Sequence, residues 1–320
     1  MSFDWRVLRV ISIAALLGAG VGPAMAGCGA RTELNAPIVA EAGKDVTVDQ
    51  DATEEEEDAQ EEDALPHIDQ FVDAPIPTDC PDAGATLVYV ISAENDLLSF
   101  YPPTLQFTNI GKIACPGTTS TPYSMAVDRF GTAYSVFADG TLWQIDTANA
   151  ACKSTPYVPS EQGTPFFNFG MGYAGDQNGE SLYVADANFN SNSLGLATLD
   201  TKSFTRHFIA DFQPELPRCE LTGTGDGRLF ALCVFTSGSG SEIAEIDPQS
   251  AKIVAVNQLK TGQSTDAFAY AFWGGSFWIF HGPGGSTSVV QYDPIAMTET
   301  TVTTLAQTIV GAGVSTCAPQ

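Results

Sequence analysis

Beyond its first eighty residues the chain alternates apolar and polar positions in short runs, and the alternation recurs. LVYVIS (87–92), TAYSVF (132–137), SLYVAD (181–186), RLFALC (228–233) and SFWIFH (276–281) share one pattern. Their aromatic positions Tyr89, Tyr134, Tyr183, Phe230 and Trp278 return every 45 to 49 residues. A second run follows each one after a turn: LLSFY, TLWQID, LGLATLD, EIAEID and VVQYD, ending at Tyr101, Asp146, Asp200, Asp247 and Asp293. A third set is more polar, FTNIGKIA, SFTRHFI, AKIVAVNQL and TETTVTTL, with a weaker member near Cys152. Small-residue runs, SMAVD, FGMGYA, AFAYAF and IVGAGV, supply a fourth. Runs of this length with period two, bounded by Gly and Asp turns, predict strands.

Four strands in each unit of about 47 residues is the pattern of a β-propeller blade. Roughly 240 residues make five such units. The chain enters at the second strand of the first blade and ends on an inner strand, IVGAGV, which must complete that blade. Closure of this kind hides sheet edges. The expected fold is all-β, a five-bladed β-propeller of four-stranded antiparallel blades over residues 84–320, preceded by a disordered acidic linker. The unit SMAVDRFGTAYSVFADGTLWQID (124–146) resembles NHL and streptogramin-lyase-like propeller repeats. That resemblance implies the fold alone. The lyase-type activity needs a histidine-based site, and the domain's histidines, His207 and His281, have no carboxylates at ligand spacing.

The N-terminus follows different rules. Arg6 and Arg9 precede an apolar run over 10–22, then the small-residue string PAMAGC. A membrane span needs about 20 apolar residues, so residues 1–27 read as a signal peptide. Ala24-Met25-Ala26 fits ordinary cleavage, whereas Met25-Ala26-Gly27-Cys28 resembles a bacterial lipobox. Cysteine parity favours the second: the chain has seven cysteines, and a lipid-modified Cys28 leaves six for three disulfides. The mature start CGARTEL (28–34) resembles a group of bacterial lipoproteins of the cell envelope. Because Gly29 rather than Asp follows the cysteine, the resemblance implies the outer membrane. The alternative is a secreted protein with a free Cys28.

Charge is distributed unevenly. The net charge is -25 and the isoelectric point about 4.1, which argues against nucleic acid as a partner. Residues 29–82 carry 17 acidic side chains against Arg31 and Lys44, with a dense run from Glu54 to Asp63. Few large apolar residues interrupt it, so residues 28–83 are expected to form a disordered, self-repelling tether. His67 stands in it alone.

Cys80 and Cys317 flank the first and last strands and become neighbours when the ring closes, so they are expected to pair. Cys219 and Cys233 are symmetric about Asp226 in the turn GDG and face each other across a hairpin. Cys115 and Cys152 remain by elimination, although they sit at different strand ends.

Chemistry is harder to find. No GxSxG, HExxH, CxxC or phosphate-binding loop occurs. DANFNSN (186–192) places oxygen ligands at alternating positions, as a calcium loop begins, without its Gly and closing carboxylate. Asp186, Asn188 and Asn190, with Trp143 and Trp273 near turns, are the ligand-contact candidates, and calcium is the one cofactor considered. The recurring Asp146, Asp200, Asp247 and Asp293 read as turn caps. Phe268, Tyr270 and Phe272 read as packing between blades. Asp139, Asp186 and Glu94 are the loop acids a five-bladed glycosidase would need as a pair. The expected function is a monomeric, membrane-anchored binding or scaffolding module for a glycan or protein partner, with a glycan hydrolase or lyase as the alternative.

Overall fold

The computed structural model describes residues 65–68, 80, 86–163, 166–176, 179–187, 192–235, 240–261, 267–282 and 284–320. The signal peptide, Cys28, most of the acidic segment, Asn188 and Asn190 lie outside the described residues.

Among the described residues twenty strands form five sheets of four. Blade one holds β1 (Val88–Ser92), β2 (Asp96–Tyr101) and β3 (Gln106–Lys112). Blade two is β4 (Pro122–Val127), β5 (Thr132–Phe137), β6 (Leu142–Asp146) and β7 (Cys152–Ser154). Blade three is β8 (Phe169–Asp176), β9 (Gly179–Asp186), β10 (Leu196–Asp200) and β11 (Thr205–Ala210). Blade four is β12 (Arg218–Gly223), β13 (Leu229–Val234), β14 (Ser241–Ile246) and β15 (Ile253–Leu259). Blade five is β16 (Ala267–Trp273), β17 (Ser276–Gly282), β18 (Thr287–Asp293) and β19 (Thr298–Leu305). The last strand, β20 (Ile309–Val314), pairs antiparallel with β1, Val88 opposite Val314 and Val90 opposite Ala312, and so supplies the missing inner strand of blade one. The chain is a five-bladed β-propeller, as its repeat predicts.

Burial follows strand position. The second strands β1 and β13 are buried at every residue and the inner strands β12 and β16 at all but one, whereas the outer β3 and β19 are exposed or half-buried. The small residues of the inner strands have a steric cause. A methyl group on Gly172 of β8 would lie 2.7 Å from the Leu221 carbonyl of β12, and one on Gly313 of β20 would lie 2.8 Å from the Val127 nitrogen of β4. At these positions β8 meets β12, and β20 meets β4, backbone to backbone, with no room for a side chain.

The outer turns repeat as closely as the strands. Asp146, Asp200, Asp247 and Asp293 each accept, through Oδ1, the N–H two residues ahead, at 2.7–3.0 Å. Four residues after each of these, and after Tyr101, a non-glycine residue is left-handed: Leu105, Ala150, Phe204, Ala251 and Met297, at φ between 51° and 60°. The acids are turn caps, as their spacing suggested.

Among the described residues three disulfides form. Cys219 sits directly opposite Cys233 in the β12–β13 ladder, with Cα atoms 4.1 Å apart. Cys80 joins Cys317 across the ring closure. Cys115 follows β3 and Cys152 opens β7, so they do sit at different strand ends; lateral packing of β3 on the next blade's outer turn, Gly111 beside Ala150, brings them together. Beside Cys317, a buried clasp completes the closure. The Arg129 N–H donates to Glu180 Oε1 at 2.8 Å, its guanidinium donates to the Gly179 carbonyl at 2.6 Å and to Thr316 Oγ1 at 3.2 Å, and Thr316 Oγ1 donates to Glu180 Oε2 at 2.7 Å. Blades two and three are thereby tied to the segment that follows β20.

One stretch departs from the expected tether. Residues 65–68 lie along the outer strand of blade four: the Val256 N–H donates to the Pro66 carbonyl at 2.9 Å, and the Ile68 N–H donates to Asn257 Oδ1 at 3.0 Å. Ile68 is buried among Phe230, Tyr270 and Tyr292. His67 Nδ1 is 3.3 Å from the same Asn257 oxygen. An apolar residue with a matching amide notch overrides the polar composition around it.

Gly172→Ala is expected to cost about 1–3 kcal/mol through backbone displacement at the β8–β12 contact, read as a lower urea midpoint. An unchanged midpoint would contradict the close approach.

Candidate functional site

The inner strands begin at one face of the ring, and their first residues line a cavity of about 70 Å³. Pro122 and Tyr123 come from β4, Arg218 and Glu220 from β12, Ala267 and Phe268 from β16, and Val310 from β20. Further along, the inner strands β8 and β12, and β20 and β4, approach each other backbone to backbone as described above. At this mouth the inner strands carry large and charged side chains instead.

Arg218 opens β12, and its guanidinium lies 4.8 Å from the centre of the Phe268 ring. This cation–π contact holds the charge against an apolar wall. Arg218 also hydrogen-bonds the Tyr123 hydroxyl, which donates to the Ala187 carbonyl at 3.2 Å. Burial pushes the Tyr123 phenol well up, so it stays neutral.

Glu220 is the third residue of β12 and is only 5% exposed. Ser124 Oγ donates to its Oε2 at 2.5 Å, and the Met171 N–H also donates to it. Those bonds and nearby Arg218 favour the ionised carboxylate. Burial outweighs them and pushes its pKa up to about 8. Tyr270 of β16, fully buried and also raised by burial, lies close below. At neutral pH the mouth therefore holds a cationic guanidinium beside a protonated carboxyl. Perturbed ionisable groups gathered in a concave site mark a functional candidate.

The residues singled out in the sequence scatter. Asp186 is near the mouth: it is 3% exposed, its Oδ2 accepts the Leu194 N–H at 3.2 Å, and its charge reaches Tyr123. Trp143 is buried on β6, with Nε1 donating to Thr141 Oγ1 at 2.8 Å and its ring against Phe137. Trp273 ends β16, at the face opposite the mouth, where Nε1 donates to the Thr86 carbonyl at 2.6 Å. Asp139 Oδ1 caps its own turn through the N–H and hydroxyl of Thr141. Glu94 is exposed in the turn after β1. Among the described residues no group of three or more metal-type side chains stands together.

Arg218, Glu220 and Tyr123 escaped sequence reasoning. The signal was present in RCELTG, blade four's inner strand, where a glutamate stands in a position that sister strands fill with small or apolar residues.

Five four-stranded blades in a ring, with a polar mouth where the inner strands begin, define the class: a five-bladed β-propeller with disulfide-secured closure. No family model matches the sequence, and a search of curated proteins finds no match. Similar solved structures include TolB from Acinetobacter baumannii, at 13% identity and TM-score 0.40, covering 71% of this chain and 55% of that one. Hydrazine synthase from Kuenenia stuttgartiensis aligns at 14% identity and TM-score 0.37, covering 64% and 62%. The Dos1 propeller aligns at 12% identity and TM-score 0.37, covering 69% and 55%. The chain thus spans less than two thirds of each of these chains.

Between pH about 4.5 and 8 the folded chain keeps a proton on Glu220 that the unfolded chain has released, so this group's contribution to stability falls as pH rises through that window. Glu220→Gln is expected to remove the slope. Thermal melts at both ends of the window should show the variant gaining on the wild type as pH rises; a constant difference would contradict the buried, protonated carboxyl.

Proposed function

We propose that the protein is a ligand-binding module of the cell envelope, held to the membrane through a lipid on Cys28, with the mouth of the ring as its docking end. The observation that carries this reading is the Arg218, Tyr123, Glu220 and Phe268 constellation, gathered on one cavity where the inner strands begin. A buried ionisable carboxyl weakens a fold, so its place at an opening fits a binding role better than a structural one. Three disulfides match an oxidising, extracytoplasmic compartment. Among the described residues no helix is long and apolar enough to cross a membrane. A small cavity with an apolar wall and a few convergent polar groups suits a compact unit of a glycan. A hydrolase needs two positioned carboxylates, and Glu220 is the one carboxyl in the described lining.

Thermal unfolding of the full-length chain against oligosaccharides and cell-wall fragments tests the mouth. A ligand at a hundred times its dissociation constant adds about 2.7 kcal/mol, which moves a ring of this size by roughly 5–10 °C. Phe268→Ala is expected to abolish the shift, and a shift that survives it places binding elsewhere. A shift with protein fractions alone would replace the glycan by a protein partner. Cys28→Ser is expected to move the protein from the membrane to the soluble fraction, and continued membrane association would refute lipid anchoring.

A further inference from the structure

The polar groups of the mouth cavity share one property. Arg218 carries five N–H donors in a planar fork and no acceptor. The Tyr123 hydroxyl already donates to the Ala187 carbonyl. Glu220, on the cavity lining, receives the Ser124 hydroxyl and the Met171 N–H. Protonated, it presents an O–H of its own. The remaining walls, Pro122, Ala267, Phe268 and Val310, are apolar. A guest that accepts hydrogen bonds and carries negative charge is complementary to these groups, and the cavity of about 70 Å³ admits a compact group.

We propose that this cavity is a subsite for a carboxylate group, borne by a uronic-acid unit of a glycan or by a small free monocarboxylic acid, with the Arg218 guanidinium as charged anchor and the Glu220 carboxyl as second donor. The inference rests on the mouth being the binding end of the ring. A planar carboxylate matches the guanidinium fork, and an O–H donor from a neutral carboxyl to a carboxylate forms a short, charge-assisted bond. The Phe268 ring holds the guanidinium from one side.

The arrangement makes binding depend on pH. A guest carboxylate stays ionised above about pH 5, while Glu220 keeps its proton up to about 8. Above that, Glu220 loses its donor and confronts the guest with a like charge. The groups facing Glu220 are Tyr123 and Ser124 from β4, the Met171 N–H from β8, Arg218 from its own strand and Tyr270 from β16. Burial holds both tyrosines neutral through this range, which leaves Glu220 as the titrating member.

The test is calorimetric titration of the full-length chain with D-glucuronate, D-glucose and acetate at about pH 6 and about pH 9. Glucuronate is expected to bind at the lower pH and at least about tenfold more weakly at the higher one, with glucose giving no heat. Acetate binding alongside glucuronate assigns the subsite to carboxylates in general; glucuronate alone assigns it to the glycan-borne form. Arg218→Lys keeps the charge but not the fork and should weaken glucuronate about tenfold. Glu220→Gln keeps a donor and should flatten the pH profile. Glucose binding as tightly as glucuronate, or a pH drop that persists in Glu220→Gln, overturns the carboxylate subsite while leaving a glycan-binding mouth. Silence from all three probes, with oligosaccharides still stabilising the protein through Phe268, overturns the subsite alone; silence from every ligand sinks both readings.

Discussion

The structure depends on the pairing of β20 with β1, two strands from opposite ends of the folded chain. Until that ladder forms, blade one lacks its inner strand and the ring has an open seam. Nothing local drives the pairing, because loop-closure entropy opposes it at this separation. The chain secures it twice. The Cys80–Cys317 bridge, 237 residues apart in sequence, restricts the unfolded state by about 5 kcal/mol in the chain-entropy account. The Arg129, Glu180 and Thr316 clasp then ties the closing segment to blades two and three.

Closing five blades at such small radius brings inner strands into backbone contact, and this explains both the glycines of β8 and β20 and the location of the site. Where those backbones meet there is no room for a side chain. At the face where the strands begin, Tyr123, Arg218 and Phe268 leave a cavity. Glu180 and Glu220 show the contrast. Burial raises both carboxyls, but Glu180 is bound into the clasp by Arg129 and Thr316, whereas Glu220 opens onto the cavity. The first carboxyl is committed to closure, and the second is available to a guest.

Much of the ring was legible because its rules are local. A period-two run between Gly and Asp turns can only be a short strand, and an aspartate capping the turn two residues ahead needs no knowledge of the rest of the molecule. Cys219 and Cys233 face each other because a hairpin's register follows from its turn. The docking of residues 65–68 was not legible: Ile68 meets Asn257 across 189 positions, and composition there signals only polarity. Nor was the site, since Tyr123, Arg218 and Phe268 belong to three different blades and no spacing along the chain relates them.

The sequence by itself determined the strand pattern, the number of blades, the phase of the closure and the Cys219–Cys233 pairing, because each follows from repetition and from turns of a few residues; Cys115 and Cys152 meet through packing between blades. Tertiary structure decided which polar residues lose water and which of them meet. Glu220 holds its proton because strands from three other blades surround it, and a pKa set by burial is a property of that assembly, with no counterpart in any single stretch of chain.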